Sequence, residues 1–361
     1  MAYWRDGLRV LNYATKVEVR ALPLVVQLLS DLDRWRTVDD VGKRLGLAAE
    51  RQTVAALMDR LAGASILQRS DHAPDPKDRA MAEWSSWNPA VGYFHAMTTS
   101  VAYVEDGLPS KAARRAWPSD RPTVRRRGVE IALDRPDASD AFSRVLTSRR
   151  TWRRFSRASI DKDKVATLLW MTSGVQAWLH TPRGEKLEMK TSPSGGARHP
   201  IDVYVLARHV RGLASGLYRY DGIRHALVSI GPAAQRNRAY LPRQYWYDDA
   251  ALLVFFCAGF EKTRKRYAYP RAYRAVLIEA GHVCQTFCLT ATALGLAPFS
   301  TLALDDGRIE ADLGIDGISH AVVYAAGVGT PAAHGVPSAP HGVADIDIRT
   351  RSSRAWRLDR P

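Results

Sequence analysis

Apolar residues recur at helical spacing near the start of the chain: Leu22, Val25, Leu28, Leu29 and Leu32, then Val38, Val41 and Leu45, then Val54, Leu57, Met58 and Leu61. Thr37 followed by Asp40 three residues on reads as an N-cap with an acidic first turn. Gly46 ends that short helix, and the next begins near Ala48. Ile66-Leu67-Gln68-Arg69 reads as a short strand. Helix, helix-turn-helix and strand together predict a winged-helix-like module, assigned to residues 1–104. Trp84, Trp87, Tyr93 and Phe94 are dense enough in aromatic surface to be core.

Between Glu105 and Asp140 the periodicity fades, and prolines at 109, 118, 122 and 136 alternate with charge. This stretch, 105–140, reads as a linker whose Arg125-Arg126-Arg127 is a solvated run. From Ala141 the pattern turns to mixed helix and strand. Val165 to Leu179 reads as a helix, and Ile201 to Leu206 alternates like a strand. Leu217 to Tyr220, Asp221-Gly222 and Ala226 to Ile230 read as a hairpin, with Asp-Gly supplying positive φ for a tight turn. Ala251 to Phe256 and His320 to Ala326 are further apolar strands. Between them a long helix from Ala272 to Leu294 carries Val276, Ala280, Val283, Phe287, Ala291 and Leu294 on one stripe. The expectation is an α+β domain over 141–361.

With 361 residues, 46% of them hydrophobic, the chain can bury one large core or two ordinary ones, which excludes disordered and collagen-like classes. It begins without a signal-like apolar stretch and has no long uncharged apolar window, so a soluble, cytoplasmic protein without a membrane span is expected. The net charge of +15, mostly arginine, suits an anionic partner: nucleic acid, a phosphorylated cofactor or an acidic peptide. Nucleic acid is disfavoured, because the segment that would enter a groove sets Glu50 and Asp59 beside Arg51 and Arg60. Cys257, Cys284 and Cys288 cannot form a disulfide framework and read as small buried hydrophobes. No zinc spacing and no G-x-S-x-G elbow is present, so no metal is assigned. The five arginines between 349 and 360 read as a solvated tail.

Three constellations can carry chemistry. Ser148-Arg149-Arg150-Thr151-Trp152-Arg153-Arg154-Phe155 offers forked donors and a hydroxyl to a phosphate, or is an exposed helix end. Ser192-Pro193-Ser194-Gly195-Gly196-Ala197-Arg198-His199-Pro200 precedes a strand, and its glycines let backbone N–H groups approach a ligand. Lys265-Arg266-Tyr267 leads into Glu279-Ala280-Gly281-His282 on the long helix, where Lys and Tyr are proton-transfer candidates and Gly281 permits close packing or ligand approach. A lone helical histidine such as His282 is ordinarily a core residue.

In order, R-R-T-x-R-x-F, S-P-S-G-G-x-x-x-P, G-L-Y-R-Y-D with a downstream His-x-Leu, R-A-Y-R-x-x-L-x-E-A-G-H and A-L-G-L resemble the SagB-type dehydrogenases. These are flavin-dependent azoline oxidases of the nitroreductase superfamily, found in thiazole- and oxazole-modified peptide biosynthesis. The resemblance covers Ala141 to Gly329. It implies a nitroreductase-like fold, a mainly antiparallel central sheet flanked by helices in a domain-interlocked homodimer, with FMN as cofactor. It puts Arg149, Arg150 and Thr151 at the phosphate and ribityl end and Arg153 near the N1/O2 edge of the flavin. Pro193, Ser194, Gly195 and Gly196 would line the isoalloxazine from the partner subunit, and Phe299 to Ala303 would pass near N5.

The implied reaction oxidises a thiazoline or oxazoline ring, with FMN accepting the electrons and oxygen reoxidising it. A cyclodehydratase is a conceivable partner. The family's Lys-Tyr pair falls here on Lys265 and Tyr267, with Arg266 standing where the lysine is expected. Arginine, with a pKa above about 12, is a poor base. Either Lys265 serves with Tyr267, or the proton chemistry differs. Two other readings stand beside this one: another nitroreductase-like FMN enzyme acting on a small molecule, with or without NAD(P)H, and a non-catalytic scaffold that binds a leader peptide or nucleic acid. Gly327-Val328-Gly329-Thr330-Pro331-Ala332 is not a nicotinamide fingerprint, since Pro331 interrupts it and no βαβ unit follows.

Overall fold

The computed structural model describes residues 2–332 apart from 5–6, 33, 100–132, 134–138, 183, 233–239 and 243. The linker prolines, the triple arginine and the arginine tail lie outside the described residues.

Strands β1 (Ala2–Trp4), β2 (Gly7–Asn12) and β3 (Val17–Arg20) form an antiparallel sheet in that order. Helices α1 (Pro23–Asp31), α2 (Val38–Arg44) and α3 (Arg51–Gly63) follow, and Leu28, Val41, Val54 and Leu61 make a small core with Val25. The capping box opens α2, with Thr37 Oγ1 accepting from the Asp40 N–H at 3.2 Å. Gly46 closes it at φ +72°. The next helix starts at Arg51, three residues later than its pattern suggested. Ile66 to Arg69 is not a strand: the N–H groups of Ile66 and Leu67 both bond the Leu61 carbonyl, at 2.9 and 3.2 Å, and so terminate α3.

α4 (Pro76–Ala82), a 3₁₀ turn (Glu83–Trp87) and α5 (Pro89–Thr98) leave this small core. Trp84, Trp87 and His95 are buried instead against Phe260 and Tyr273 of the second half, with Trp84 and Phe260 ring centroids 4.8 Å apart. Tyr93 and Phe94 are exposed.

The second half contributes α6 (Ala141–Ser148), β4 (Phe155–Ser156), β5 (Ile160–Asp161), α7 (Lys162–Ser173), β6 (Ala177–His180), β7 (Lys186–Met189), β8 (Ile201–Ala207) and β9 (Val210–Arg211). It continues with β10 (Gly216–Asp221), β11 (Ala226–Gly231), β12 (Leu252–Gly259), α8 (Phe260–Arg264), α9 (Arg271–Ala293), β13 (Ala297–Thr301), α10 (Asp306–Leu313) and β14 (His320–Pro331). The central sheet runs β11-β10-β8-β12-β14-β13, β4 pairs with β14, and every pairing in it is antiparallel. Both faces of β12 are covered, which is why it reads as continuous apolar sequence. Val203, Val205, Val254 and Phe256 pack toward α7 and α9, while Tyr204, Leu206, Leu253 and Phe255 pack toward Phe299, Tyr240, Tyr247 and α10. The α+β architecture expected from the pattern is the one formed.

Two local expectations are corrected. The helix read as Val165 to Leu179 stops at Ser173, where Gly174 lets the chain fold back over Trp170; an added Cβ would lie 2.5 Å from its ring. In the β10–β11 hairpin the left-handed residue is His225, at φ +51°, not Gly222. Asp221 Oδ1 accepts from the N–H groups of Ile223 and Arg224, and Gly222 is needed because a Cβ would meet the Ser173 carbonyl at 2.6 Å. Gly327 to Pro331 lies inside β14 rather than at a strand-to-helix turn. No helix among the described residues is long and apolar enough to cross a membrane. The three cysteines are free and buried.

Candidate active site

Asp140 caps α6 by accepting from the N–H groups of Phe142 and Ser143 at 2.9 and 3.0 Å, and the helix ends at Ser148 with Arg149 as its C-cap. The segment from Arg149 to Arg154 then crosses to β4. Trp152 N–H donates to the Pro298 carbonyl at 2.9 Å, so the arginines lie beside β13. Arg150 is turned onto its own helix end, donating to the carbonyls of Thr147 and Arg149, both at 2.8 Å. The Arg153 guanidinium stands 5.6 Å over the Trp246 ring, and burial lowers its pKa. It stays cationic, since arginine starts far above neutrality. Cys288 on α9 is pulled down in pKa first by the hydrogen bond from Cys284 and then by the Arg149 charge, against the effect of burial.

The glycine loop lies against a different part of α9. Ser192 is buried, and its hydroxyl shares a hydrogen bond of 2.7 Å with Thr286. Gly196, Ala197 and His199 all have positive φ, at 62°, 52° and 45°. For the two non-glycine residues this is a strained conformation of the kind that gathers at functional sites. His199 anchors the bend: its N–H donates to Ser194 Oγ at 2.8 Å, and its Nε2, protonated in the tautomer this contact requires, reaches the Glu188 carbonyl at 2.9 Å. Burial lowers the His199 pKa and favours the neutral ring. Pro193, Gly195 and Gly196 are exposed, so their backbone is open to a ligand.

Tyr267 joins this loop. Its hydroxyl lies 2.5 Å from where a Gly196 Cβ would sit, so a side chain there would displace it. Its carbonyl accepts from Trp87 Nε1 at 2.9 Å, so a buried indole from the front of the chain holds it. Lys265 is not brought to the same place: its ammonium is mostly exposed and pairs with Glu261 at 2.7 Å. Gly195, Gly196 and Tyr267 converge. The arginine segment and Lys265 do not converge with them in one chain.

The reason is the position of α9. Glu279 faces Ser194 and Gly195, whereas Cys288 faces Arg149. Glu279 and Thr286, on the loop side, lie nine and two residues from Cys288, which at 3.6 residues per turn sets both about 160–180° around the helix from it. Cys284, on the arginine side, neighbours Ser300 and Tyr324, whose hydroxyls are 3.2 Å apart. An apolar cavity of about 480 Å³ opens next to them, walled by Leu277, Gly281, Leu302, Val323, Tyr324 and Phe94. His282 is exposed rather than core, and Gly281 borders open space. The burial of Glu279 was not legible in the sequence, because a carboxylate among helical residues signals nothing until its neighbours in the fold are known. Among the described residues no group of His, Cys, Asp and Glu could hold a metal ion.

A model of the nitroreductase family matches residues 146–330, and the chain belongs to this family. Over 185 residues it is 30% identical to MJ1384 of Methanocaldococcus jannaschii, a protein named as a nitroreductase, covering 50% of this chain and 89% of that one. It is 34% identical over 140 residues to the trifolitoxin-processing protein TfxB of Rhizobium leguminosarum bv. trifolii, but covers only 37% of either chain. Among solved structures, a chain of the E. coli microcin synthetase McbBCD complex, with truncated pro-MccB17 bound, aligns at TM-score 0.51 and 19% identity. That alignment covers 70% of this chain and 97% of the other, and it speaks to the fold alone.

Proposed function

We propose that this nitroreductase-family protein is an FMN-dependent dehydrogenase of the SagB type, oxidising thiazoline or oxazoline rings to thiazole or oxazole in a ribosomally made peptide or related natural product. One observation carries the flavin part: two segments of cofactor-binding chemistry flank α9 on opposite sides, as halves of a site completed by a second copy of the chain would be.

The residues fit FMN. Arg149 and Thr151 supply a cationic fork and the hydroxyl that a phosphate needs, and Arg150 joins them by leaving the carbonyls of Thr147 and Arg149. Arg153, backed by the Trp246 ring, keeps positive charge where a reduced flavin is anionic. Pro193, Ser194, Gly195 and Gly196 of the partner copy form a wall bare of bulky side chains. FMN, when bound, supplies the two-electron acceptor. Tyr267, fixed by Trp87 and the loop, presents its hydroxyl to hold or move the proton leaving the ring; Lys265 can assist only by leaving Glu261. The cavity beside Ser300 and Tyr324 offers room for a heterocycle and a neighbouring apolar side chain.

The likeness to a protein named for trifolitoxin processing supports a peptide substrate. In this reading residues 1–104 form the front module, 105–140 the linker and 141–361 the catalytic domain. The working unit is a cytoplasmic homodimer that acts after a cyclodehydratase. The likeness to MJ1384 favours a second reading, an FMN enzyme acting on another small molecule.

The visible spectrum of the purified protein, with release and identification of its chromophore, tests the cofactor. Incubation with a thiazoline-bearing peptide tests the substrate, through loss of two hydrogens per ring by mass spectrometry. A colourless protein that takes up no FMN overturns the proposal, and a yellow one inert toward azolines leaves the second reading.

A further inference from the structure

Helix α5 lies outside residues 146–330, the part of the chain that matches the nitroreductase family, yet it forms one wall of the apolar cavity beside Ser300 and Tyr324. His95 pins it there, with its ring nitrogens meeting the Tyr273 hydroxyl at 3.1 Å and the Gly317 carbonyl at 2.9 Å. Phe94, the residue before this anchor, is 54% exposed and stands edge-on to the Tyr273 ring, centroids 6.2 Å apart. Leu277 of α9 and Leu302, just past β13, are exposed as well, so three elements bring large apolar side chains to one cavity. The polar groups of the wall are already engaged. Thr98 Oγ1 donates to the Phe94 carbonyl at 2.8 Å, Thr99 Oγ1 to the Ala96 carbonyl at 3.2 Å, and the Tyr324 hydroxyl to Ser300 Oγ at 3.2 Å. Among the described residues the wall has one carboxylate, Asp306, and no lysine or arginine. A ligand is therefore held by fit and buried apolar area, and an acidic group is repelled. The cavity is tied to the arginine segment through β13: Pro298 receives the Trp152 N–H, and Ser300, two residues on, receives Tyr324 at the cavity's border.

We propose that Phe94 determines substrate specificity: with Leu277 and Leu302 it frames a pocket for the apolar side chain next to the ring being oxidised, a role that rests on the reading of the chain as an azoline oxidase. Phe94 meets that side chain and not the reacting ring. Selectivity for the flanking residue is thus set by α5, outside the part of the chain that carries the flavin-binding segments. Because the pocket offers shape and apolar area rather than free hydrogen-bonding groups, it discriminates by size and polarity.

The test compares two thiazoline-bearing peptides that differ only in the residue next to the ring, leucine or glycine, using the full chain and its Phe94→Ala and Phe94→Trp variants. Phe94 is exposed, so both variants should fold, and Tm checks this. The parent should favour the leucine peptide in kcat/KM by about tenfold or more. Phe94→Ala, which removes one wall, should reduce that preference by about threefold or more, and Phe94→Trp, which narrows the pocket, should shift it further toward glycine. A parent indifferent to the flanking residue, or variants whose preference stays within about twofold of the parent's, overturns the inference. A second measurement does not depend on turnover: N-acetyl-leucinamide and N-acetyl-glycinamide are titrated at millimolar concentration while the methyl resonances of Leu277 and Leu302 are followed. Only the leucine compound should shift them in the parent, and Phe94→Trp should weaken that response. Methyls that do not respond overturn the pocket, as they would if a second copy of the chain covered the cavity. If neither peptide is oxidised but the methyls respond, the azoline reading fails and the pocket for an apolar side chain stands.

Discussion

Replacing Glu310 with glutamine should remove a pH dependence built into the fold. Glu310 lies on α10, 9% exposed, with Oε1 accepting from the Val322 N–H at 3.2 Å. Gly317, at φ +71°, closes over it so tightly that a Cβ would stand 2.4 Å from Oε2. Burial first, then the charges of Asp306 and Asp316, push its pKa from 4.5 up to about 8. The folded state therefore keeps a proton that the unfolded chain gives up. The stability this contributes is fully present below pH about 4.5, declines as pH rises and is gone above about 8. A gap of about 3.5 units at 1.36 kcal/mol per unit sets an upper figure of about 5 kcal/mol. Glutamine mimics the protonated acid and still accepts from Val322. Thermal unfolding of both proteins at pH values from about 4.5 to 9 should give matching Tm at the acid end, with Glu310→Gln increasingly the more stable toward the alkaline end. The effect should be strongest around α5, since the Gly317 carbonyl also receives His95 Nε2 at 2.9 Å. Parallel Tm curves for the two proteins across the whole range would refute the argument.

Arg153→Ala should weaken FMN binding by about 10- to 100-fold, the worth of a charge-assisted contact, as read by flavin fluorescence; parent-like affinity would remove Arg153 from the site. Gly196→Ala should cost about 1–2 kcal/mol for the left-handed backbone alone and displace the Tyr267 hydroxyl, lowering turnover more than Tm. Trp87→Phe leaves the Tyr267 carbonyl unpaired and should lower Tm and turnover together while sparing FMN affinity; an unchanged rate would mean that the front of the chain does not support Tyr267. Lys265→Ala should leave the oxidation rate within about twofold of the parent, because its ammonium is engaged by Glu261, whereas Tyr267→Phe should reduce it by about 100-fold or more, the range of a lost acid-base group.

Much of this protein is legible as local pattern. The apolar stripe of α9, the alternation of β8, the unbroken apolar run of β12 and the capping box of α2 each depend on residues a few positions apart, where periodicity and capping act. The ordered motifs also singled out the arginine segment and the glycine loop as candidate places for chemistry. Local signals misled where a distant group decided the outcome. Asp221-Gly222 carries a tight-turn signature, yet the Ser173 carbonyl is what requires glycine there, and Ile66 and Leu67 look like strand but serve to close α3. Lys265 and Tyr267 are two residues apart, yet one turns to solvent and the other to Gly196, since the end of α8 sends their side chains different ways.

By itself the sequence determined the long helix, the main apolar strands and the α+β class of the second half, and the residue types able to hold an anion and a flat ring. Only the tertiary structure decided that Trp87 supports Tyr267 across 180 positions of chain, that the glycine loop docks on Thr286 through Ser192, and that α9 stands between that loop and the arginine segment. Such pairings follow from how a helix and a sheet bury each other's faces, and no short window of sequence records which faces meet.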